Sequence, residues 1–351
     1  MLFFNNKNQP LLVCLQGVIY SMLLTALVPA MAGVSEKSGS GRNAVPAEKE
    51  TAQGYFDRGL QYYYEGKYEP AVNELEQALR IEPNHIEANY MLGYLLHKQK
   101  KYAAALERFN KIIQLKPNRK DIYVSRAITY SAMRRFDESL QDFALELSKN
   151  PKNHRIYLNR GNVYTMKRQF DLAMEDYNKA LKLKPDYAKA FRARGKIYHH
   201  QKKYEQALLE LNAALDSDPG YARAYTTRGN IHNKMDKYQL ALDDHQNAVA
   251  LATNDYLPPN DLAWFLATVK DKQYQNGKRA IELATQACEL TDYKNPGVID
   301  TLAAAYARAG RFDKAVDWQL KAIKESKPGD SKLEGKKRRL ELYVNRQAYT
   351  E

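Results

Sequence analysis

The chain has 351 residues, with 54 Lys and Arg against 41 Asp and Glu and a formal net charge of +13. Hydrophobic residues make up 44% and charged residues 27%, which excludes a polytopic membrane protein and a chain that is disordered throughout. With 2 Cys, 17 Gly and 13 Pro, the composition also excludes a disulfide-stapled miniprotein, a Cys-rich metal site and a collagen-like fibre. The count of 26 Tyr is unusual and points to a repeated motif.

Residues 1–32 have the pattern of a secretory signal peptide. They contain one charged residue, Lys7, are mostly apolar after residue 10, and end in the small-X-small cleavage pattern Ala30-Met31-Ala32. We therefore expect an exported protein, periplasmic or secreted. One alternative is an anchor formed by residues 11–32, because the apolar run approaches the roughly 20 residues that span a bilayer. The other is a buried amino-terminal helix.

Residues 33–51 are rich in Gly, Ser and charged residues and show no apolar period. This composition predicts a flexible linker.

From residue 52 onward, a period of 34 residues organises the chain. A proline, a glycine, an aromatic residue and a second small residue each recur at this spacing, and such a period indicates a stacked array. The prolines are Pro83, Pro117, Pro151, Pro185 and Pro219; the glycines are Gly59, Gly93, Gly161, Gly195 and Gly229, with Ala127 in the gap; the aromatic residues are Tyr68, Tyr102, Phe136, Phe170, Tyr204 and Tyr238. The second small residues are Ala71, Ala105, Ser139, Ala173, Ala207 and Ala241.

Each repeat is predicted to be a pair of helices. In residues 154–187, apolar side chains follow helical spacing on both sides of a polar break at residues 166–169. Pro185 ends the second helix, since the residue before a proline is disfavoured in the α region. Gly161 and Ala173 are predicted to lie where the two helices approach closely. One hairpin cannot bury its own apolar face, so stability depends on stacking.

These residues resemble the tetratricopeptide repeat family, and the variant carboxy-terminal pairing described below resembles a terminal module of its bacterial members. The matching residues of this repeat are Tyr157, Gly161, Tyr164, Phe170, Ala173, Tyr177, Ala180 and Pro185. The resemblance covers six units in residues 52–255, and its departures, among them His232 in place of an aromatic residue, are mild. It implies an all-α fold: a right-handed superhelical solenoid of stacked antiparallel helix pairs.

The remaining residues vary the same pattern. Residues 256–330 are predicted to form two variant units, with helices at 260–268 and 277–290 and a return to the regular spacing over 300–323. Residues 331–351 are predicted to form a capping helix and tail, which gives about eight units and a cap. The side chains expected to face inward are Leu333, Leu340, Tyr343 and Val344, and those expected on a solvated face are Lys336, Lys337, Arg338 and Arg339.

The sequence contains no motif that predicts catalysis or a cofactor, so we expect a non-enzymatic protein without cofactor or metal. His199, His200 and His232 are the nearest approach to a metal site, but adjacent residues on a helix diverge by about 100° and no Cys or carboxylate cluster joins them. Cys288 is expected to be a small buried hydrophobe.

The resemblance also implies a binding surface. In the family, the first helix of each pair lines a concave groove through its second, fifth, ninth, twelfth and thirteenth positions. These positions are aromatic or aliphatic in the first three units and basic in the next three. The resulting candidate groove residues are Phe56, Tyr63, Tyr90, Tyr94, Arg155, Asn162, Lys189, Arg192, Lys196, Arg223, Asn230 and Lys234.

Aromatic residues and Arg are typical of binding hot spots, and a cleft of one charge sign attracts the opposite sign. The hypothesis is a non-catalytic scaffold or adaptor of the cell envelope that binds an extended peptide or protein segment, with its basic half suited to acidic partners. The basic half partly resembles the carboxylate-clamp repeats of the family, which bind acidic chaperone tails. The full clamp is absent, because Leu158 and Thr227 occupy the positions at which those repeats have Lys and Arg.

The alternative is an accessory module of, or a regulator for, an envelope polysaccharide or peptidoglycan enzyme. Nucleic-acid binding is a weaker option, since it requires the export prediction to be wrong. We expect membrane contact only through the amino-terminal segment, and only if that segment is not cleaved.

Overall fold

The computed structural model describes residues 51–351, which form 17 α-helices and no strand. The predicted signal peptide or anchor and the predicted linker, apart from its last residue Thr51, lie outside the described residues. Thr51 accepts a hydrogen bond from the Gly54 amide and so caps the first helix.

The chain divides into two compact units between Leu183 and Lys184. The described residues of the amino-terminal unit contain four helix pairs: α1 (Ala52–Tyr64) with α2 (Tyr68–Ile81), α3 (Ile86–Lys98) with α4 (Tyr102–Leu115), α5 (Ile122–Ala132) with α6 (Phe136–Lys149), and α7 (His154–Met166) with α8 (Phe170–Leu183). The described residues of the carboxy-terminal unit contain four more pairs and a last helix: α9 (Ala188–His200) with α10 (Tyr204–Ser217), α11 (Ala222–Lys234) with α12 (Tyr238–Leu251), α13 (Leu257–Thr268) with α14 (Gly277–Glu289), α15 (Pro296–Arg308) with α16 (Phe312–Lys324), and α17 (Leu333–Val344).

Most pairs are joined by a three-residue turn with one residue in the left-handed region. In the α7–α8 turn this residue is Arg168, at φ 60°, and the amide of Gln169 donates to the carbonyl of Tyr164 at 2.9 Å. This bond satisfies a carbonyl that would otherwise lack a partner at the helix end. The corresponding residues of the other turns are Gly66, Lys100, Arg134, Lys202, Asp236 and Gly310.

The small residues of the repeat lie where two helices of a pair meet, as predicted. A Cβ at Gly161 would stand 2.6 Å from Cε1 of Tyr177, well inside van der Waals contact. Ala173 is fully buried. The two helices of this pair can therefore pack at this distance only if both positions remain small.

The seventh pair departs from the regular repeat. Helix α13 begins at Leu257 rather than at residue 260, with Pro258 and Pro259 in its first turn, where the missing N–H groups cost nothing. A 3₁₀ turn at Lys272–Tyr274 lengthens the connection to α14.

The last helix is oriented differently from the prediction. Tyr343 is buried as expected, but Val344 is 62% exposed, so that part of the prediction is wrong. Lys336, expected on a solvated face, is 1% exposed, and its ammonium lies 2.6 Å from a carboxylate oxygen of Asp330. The local charge pattern did not show that an acidic residue just before the helix would neutralise this buried lysine.

Candidate functional site

The aromatic positions of the amino-terminal unit divide into two sets. Phe56 and Tyr63 on α1 are half-buried. Tyr90 and Tyr94 on α3 are 2% and 0% exposed, so the expectation that they are open to a ligand is wrong.

The reason is that α3 is enclosed by its neighbours. The Tyr90 hydroxyl lies 3.2 Å from Oγ of Ser125 on α5, and its ring lies 6.2 Å from that of Phe109. The Tyr94 ring packs edge-on against Tyr63 at 5.9 Å, and burial raises the pKa of its hydroxyl well above the usual value. The two tyrosines fill the space between repeats.

Two polar candidates follow in the fourth pair. Asn162 accepts a hydrogen bond from the Tyr177 hydroxyl at 2.9 Å, so its amide oxygen is already used within the repeat. Arg155 is half-buried, and its charge opposes the rise in the pKa of Asp121 that burial causes.

In the carboxy-terminal unit, carboxylates from outside the first helices neutralise two of the predicted cations. Arg223 donates from Nε to Asp255 at 2.8 Å, and Asp255 is 7% exposed. The Lys234 ammonium lies 2.8 Å from a side-chain oxygen of Glu351. Asp255 and Glu351 do not occupy groove positions, because Asp255 lies in the connection before α13 and Glu351 follows α17.

Lys196 differs from its neighbours, because it forms no ion pair or hydrogen bond with any residue in the range 51–351. The residue as a whole is exposed, yet desolvation of its ammonium lowers its pKa to about 8, and the positive charges of Arg192 and Arg223 contribute. Arg192 is held by the Tyr221 hydroxyl, which accepts from its Nε at 2.8 Å. An ammonium without a counterion and close to two guanidinium groups is a site that a bound anion would stabilise.

The remaining candidates are engaged in local contacts. Asn230 contacts Asp261, a half-buried residue on the neighbouring helix α13, and desolvation raises the pKa of the Asp261 carboxyl to about 6 against the effect of its amide partners. Lys189 is half-buried and also has a partner.

Trp264 and Thr268 belong to the same candidate binding surface as Asn230 and Lys234, although sequence analysis did not include them. They stand 34 residues after Asn230 and Lys234, so the repeat period would have found them if it had been extended into the seventh pair.

His232, His199 and Cys288 each lie against other side chains of the described chain. Nδ1 of His232 lies 3.0 Å from a carboxylate oxygen of Asp244, and His199 packs on Tyr204 at 6.0 Å. Cys288 is fully buried, and desolvation raises the pKa of its thiol to about 12. Residues 51–351 contain no cluster of three His, Cys, Asp or Glu side chains arranged to hold a metal.

None of the helices within residues 51–351 has both the length and the apolar character needed to cross a membrane.

Comparison with known families places tetratricopeptide repeats in both units. Models described as "Tetratricopeptide repeat" match residues 86–119 and 154–187, and a model described as "TPR repeat" matches residues 59–100 and 195–236. The matched residues are therefore similar to tetratricopeptide repeats, a class of helix-pair repeat that generally serves as a scaffold for protein–protein interaction and is generally non-catalytic.

Solved structures support the fold. A tetratricopeptide repeat protein from Parabacteroides merdae is 19% identical, with 72% of this chain and 98% of that chain covered and a TM-score of 0.58. The yeast protein Tom70 is 17% identical, with 89% of this chain and 67% of that chain covered and a TM-score of 0.64. The predicted all-α class of stacked helix pairs is confirmed. A search of curated proteins found no significant match.

Proposed function

We propose that this protein is a non-catalytic interaction scaffold of the cell envelope that binds an acidic peptide or protein segment. The binding surface is the one that the first helices of the pairs in the carboxy-terminal unit form, which we call the first-helix face. The observation that carries the proposal is Lys196, a cation without a partner among the described residues and next to Arg192 and Arg223. The export part of the proposal is supported by the composition of residues 1–32 alone.

The three cations have different roles in this proposal. Arg223 is paired with Asp255 and Arg192 is held by Tyr221, so both are fixed in position before a partner arrives. Fixed groups lose little conformational freedom on binding, which favours affinity. Lys196 is then the group whose charge a ligand carboxylate would neutralise.

The amino-terminal unit offers a different kind of contact. Phe56 and Tyr63 remain partly accessible, and aromatic side chains of this type are frequent among binding hot spots. In this proposal they bind an apolar part of a partner.

The test is affinity purification of the full chain from its host, with Lys196→Glu compared with wild type by quantitative mass spectrometry. Lys278→Glu is the matched control, because Lys278 is exposed in the same unit but lies on the second helix α14. We expect specific envelope partners to be lost from Lys196→Glu and retained by Lys278→Glu.

Two results would overturn the proposal. Recovery of all partners at the wild-type level by both variants would exclude Lys196 from the interface. Cytoplasmic partners, together with peptides showing that residues 1–32 are intact, would exclude the export part.

A further inference from the structure

After helix α17 the chain turns back over the first helices of its own unit. Arg346 adopts a left-handed conformation at φ 55°, and the amide of Gln347 donates to the carbonyl of Leu342 at 2.8 Å. After this turn, residues 349–351 lie against the ends of neighbouring helices.

The last three residues then contact three successive first helices at their final residues. Arg308, which ends α15, donates from Nη2 to the Tyr349 carbonyl at 2.7 Å and to Oγ1 of Thr350 at 3.0 Å. The carbonyl of Thr268, which ends α13, accepts from the amide of Glu351 at 2.8 Å. The Tyr349 carbonyl and the Glu351 amide belong to the main chain of the segment, and main-chain hydrogen bonds are typical of the recognition of an extended peptide.

The side chain of Glu351 is held by two donors. Lys234, which ends α11, lies 2.8 Å from Oε1, and the indole Nε1 of Trp264 donates to Oε2 at 3.1 Å. Both oxygens of one carboxylate are therefore bound, one by a cation and one by a neutral donor. Hydrogen bonds of this charge-assisted type are the stronger ones.

The side chain of Tyr349 lies in an aromatic and cationic pocket. Its ring centroid is 6.0 Å from that of Trp264, and the Arg339 guanidinium is 5.4 Å from the Tyr349 ring and 5.3 Å from the Trp264 ring. Asp300 fixes Arg339 through two hydrogen bonds at 2.9 and 2.6 Å. The pocket is thus shaped for an aromatic side chain.

We infer that Lys234, Trp264, Thr268, Arg308 and Arg339 form a recognition site for an extended segment with an aromatic residue followed two positions later by an acidic one. Residues 349–351 of this chain occupy it as an intramolecular ligand. A partner peptide of the same chemistry must displace this segment, so the segment lowers the apparent affinity for such partners. This inference relies on the proposed function only in that both place binding on the first-helix face.

The effect of the bound segment on peptide affinity can be estimated from the fraction of molecules whose site is open. The apparent dissociation constant equals the intrinsic one divided by the fraction of molecules whose site is open. A tethered segment acts at an effective concentration that reaches the order of millimolar for a short linker. A variant that releases the segment should therefore bind an added peptide more tightly, by about tenfold or more.

The test uses the full chain and a fluorescein-labelled peptide that copies residues 345–351 and is amidated at its end, followed by fluorescence anisotropy. The releasing variant is Tyr349→Ala/Glu351→Ala, and Gln347→Ala is its control, because Gln347 is exposed in the same segment. We expect tighter peptide binding by about tenfold in the releasing variant, and wild-type affinity in Gln347→Ala. Adding Arg308→Ala to the releasing variant should abolish binding.

If the releasing variant binds the peptide no more tightly than wild type, the segment does not block the site, and the inference fails. If the folded releasing variant does not bind the peptide, the site does not recognise this chemistry, and the inference also fails. Glu351→Lys is a milder releasing variant that places a cation beside Lys234, so the question can be answered even if the double variant does not fold. Because none of these variants alters Lys196, the result is independent of the Lys196 test.

Discussion

Arg160 donates two hydrogen bonds to the carboxylate of Asp176, from Nε at 2.9 Å and from Nη2 at 2.7 Å. The arginine lies on the first helix of its pair and the aspartate on the second, 16 residues later. The same Arg–acid arrangement occurs in five of the first six helix pairs, with Leu92 in place of the arginine in the second pair, and its members are Arg58–Glu74, Arg126–Asp142, Arg160–Asp176, Arg194–Glu210 and Arg228–Asp244. The Arg126 and Arg228 guanidinium groups also donate to Asn110 and Asn212, each on the second helix of the preceding pair. These ion pairs therefore join the two helices of a pair, and in two cases the same arginine also joins neighbouring pairs through a hydrogen bond to an asparagine.

Arg160→Leu is expected to lower the free energy of unfolding by about 3 kcal/mol, because it leaves the carboxylate of Asp176 buried without its counterion. The Asp176 side chain is 5% exposed, whereas the Arg279–Glu282 pair is about half exposed on both sides. Arg279→Leu should thus cost less than about 1 kcal/mol. Urea unfolding followed by circular dichroism measures both. Equal losses of unfolding free energy in the two variants would show that the buried pair has no special role. The double variant Arg160→Leu/Asp176→Leu should recover part of the loss seen in Arg160→Leu, because it leaves no unpaired carboxylate.

Gly277→Ala is expected to destabilise the carboxy-terminal unit by about 1–3 kcal/mol. A Cβ at Gly277 would lie 2.6 Å from the backbone nitrogen of Ala309 and 2.9 Å from the carbonyl carbon of Arg308, and backbone cannot rotate away as a side chain can. Gly297→Ala is the control, since its nearest contact would be the Asn295 side chain at 3.4 Å. Thermal unfolding of both variants is the measurement. A neutral Gly277→Ala would contradict the close approach of α14 to the end of α15.

His245 is expected to make the free energy of unfolding depend on pH between about 4 and 6.5. The residue is 1% exposed, and desolvation lowers its pKa to about 4, against the opposing charge of Asp244. The unfolded state, with an ordinary pKa of about 6.5, binds the proton more readily than the folded state. The contribution of neutral His245 is therefore complete above about pH 6.5 and is lost as the pH falls towards about 4, by about 3 kcal/mol in all.

The measurement is the midpoint of urea unfolding between pH 7 and pH 4 for wild type and His245→Leu. Other repeats place Leu75, Phe109, Phe143, Tyr177 and Leu211 at this position. The leucine variant should be at least as stable as wild type at pH 7 and should lose less stability towards pH 4. Parallel pH curves for the two proteins would refute the assignment.

Lys196 is expected to react with an acylating reagent faster than the exposed reference Lys278 at pH 8. Desolvation, and then the charges of Arg192 and Arg223, lower its pKa to about 8, which leaves a large fraction of the amine neutral at that pH. Arg192→Gln removes one of these charges and should slow the reaction at Lys196 but leave the rate at Lys278 unchanged. Peptide mass spectrometry after brief labelling gives both rates. Equal rates at the two lysines in wild type would contradict the lowered pKa.

Much of the architecture could be predicted, because positions with the same packing requirement recur in every repeat. Gly161 and Ala173 have to be small wherever two helices approach, so the same residue types return every 34 residues. Helical spacing separates the two helices of each pair in the same way. The predicted site was less complete, since a position in a repeat shows which way a side chain points and not what lies opposite. Tyr90 and Tyr94 occupy groove positions and are nevertheless enclosed.

The sequence by itself determined the all-α repeat class, because the 34-residue spacing of small, aromatic and proline residues is a local property of the chain. Only the tertiary structure decided which charges of the first-helix face remain unpaired. Asp255 lies 32 residues from Arg223, and Glu351 lies 117 residues from Lys234 in a segment outside the period. The physical reason is that burial and ion pairing depend on what packs against a helix from elsewhere in the chain, and a repeat pattern contains no information about residues that do not repeat.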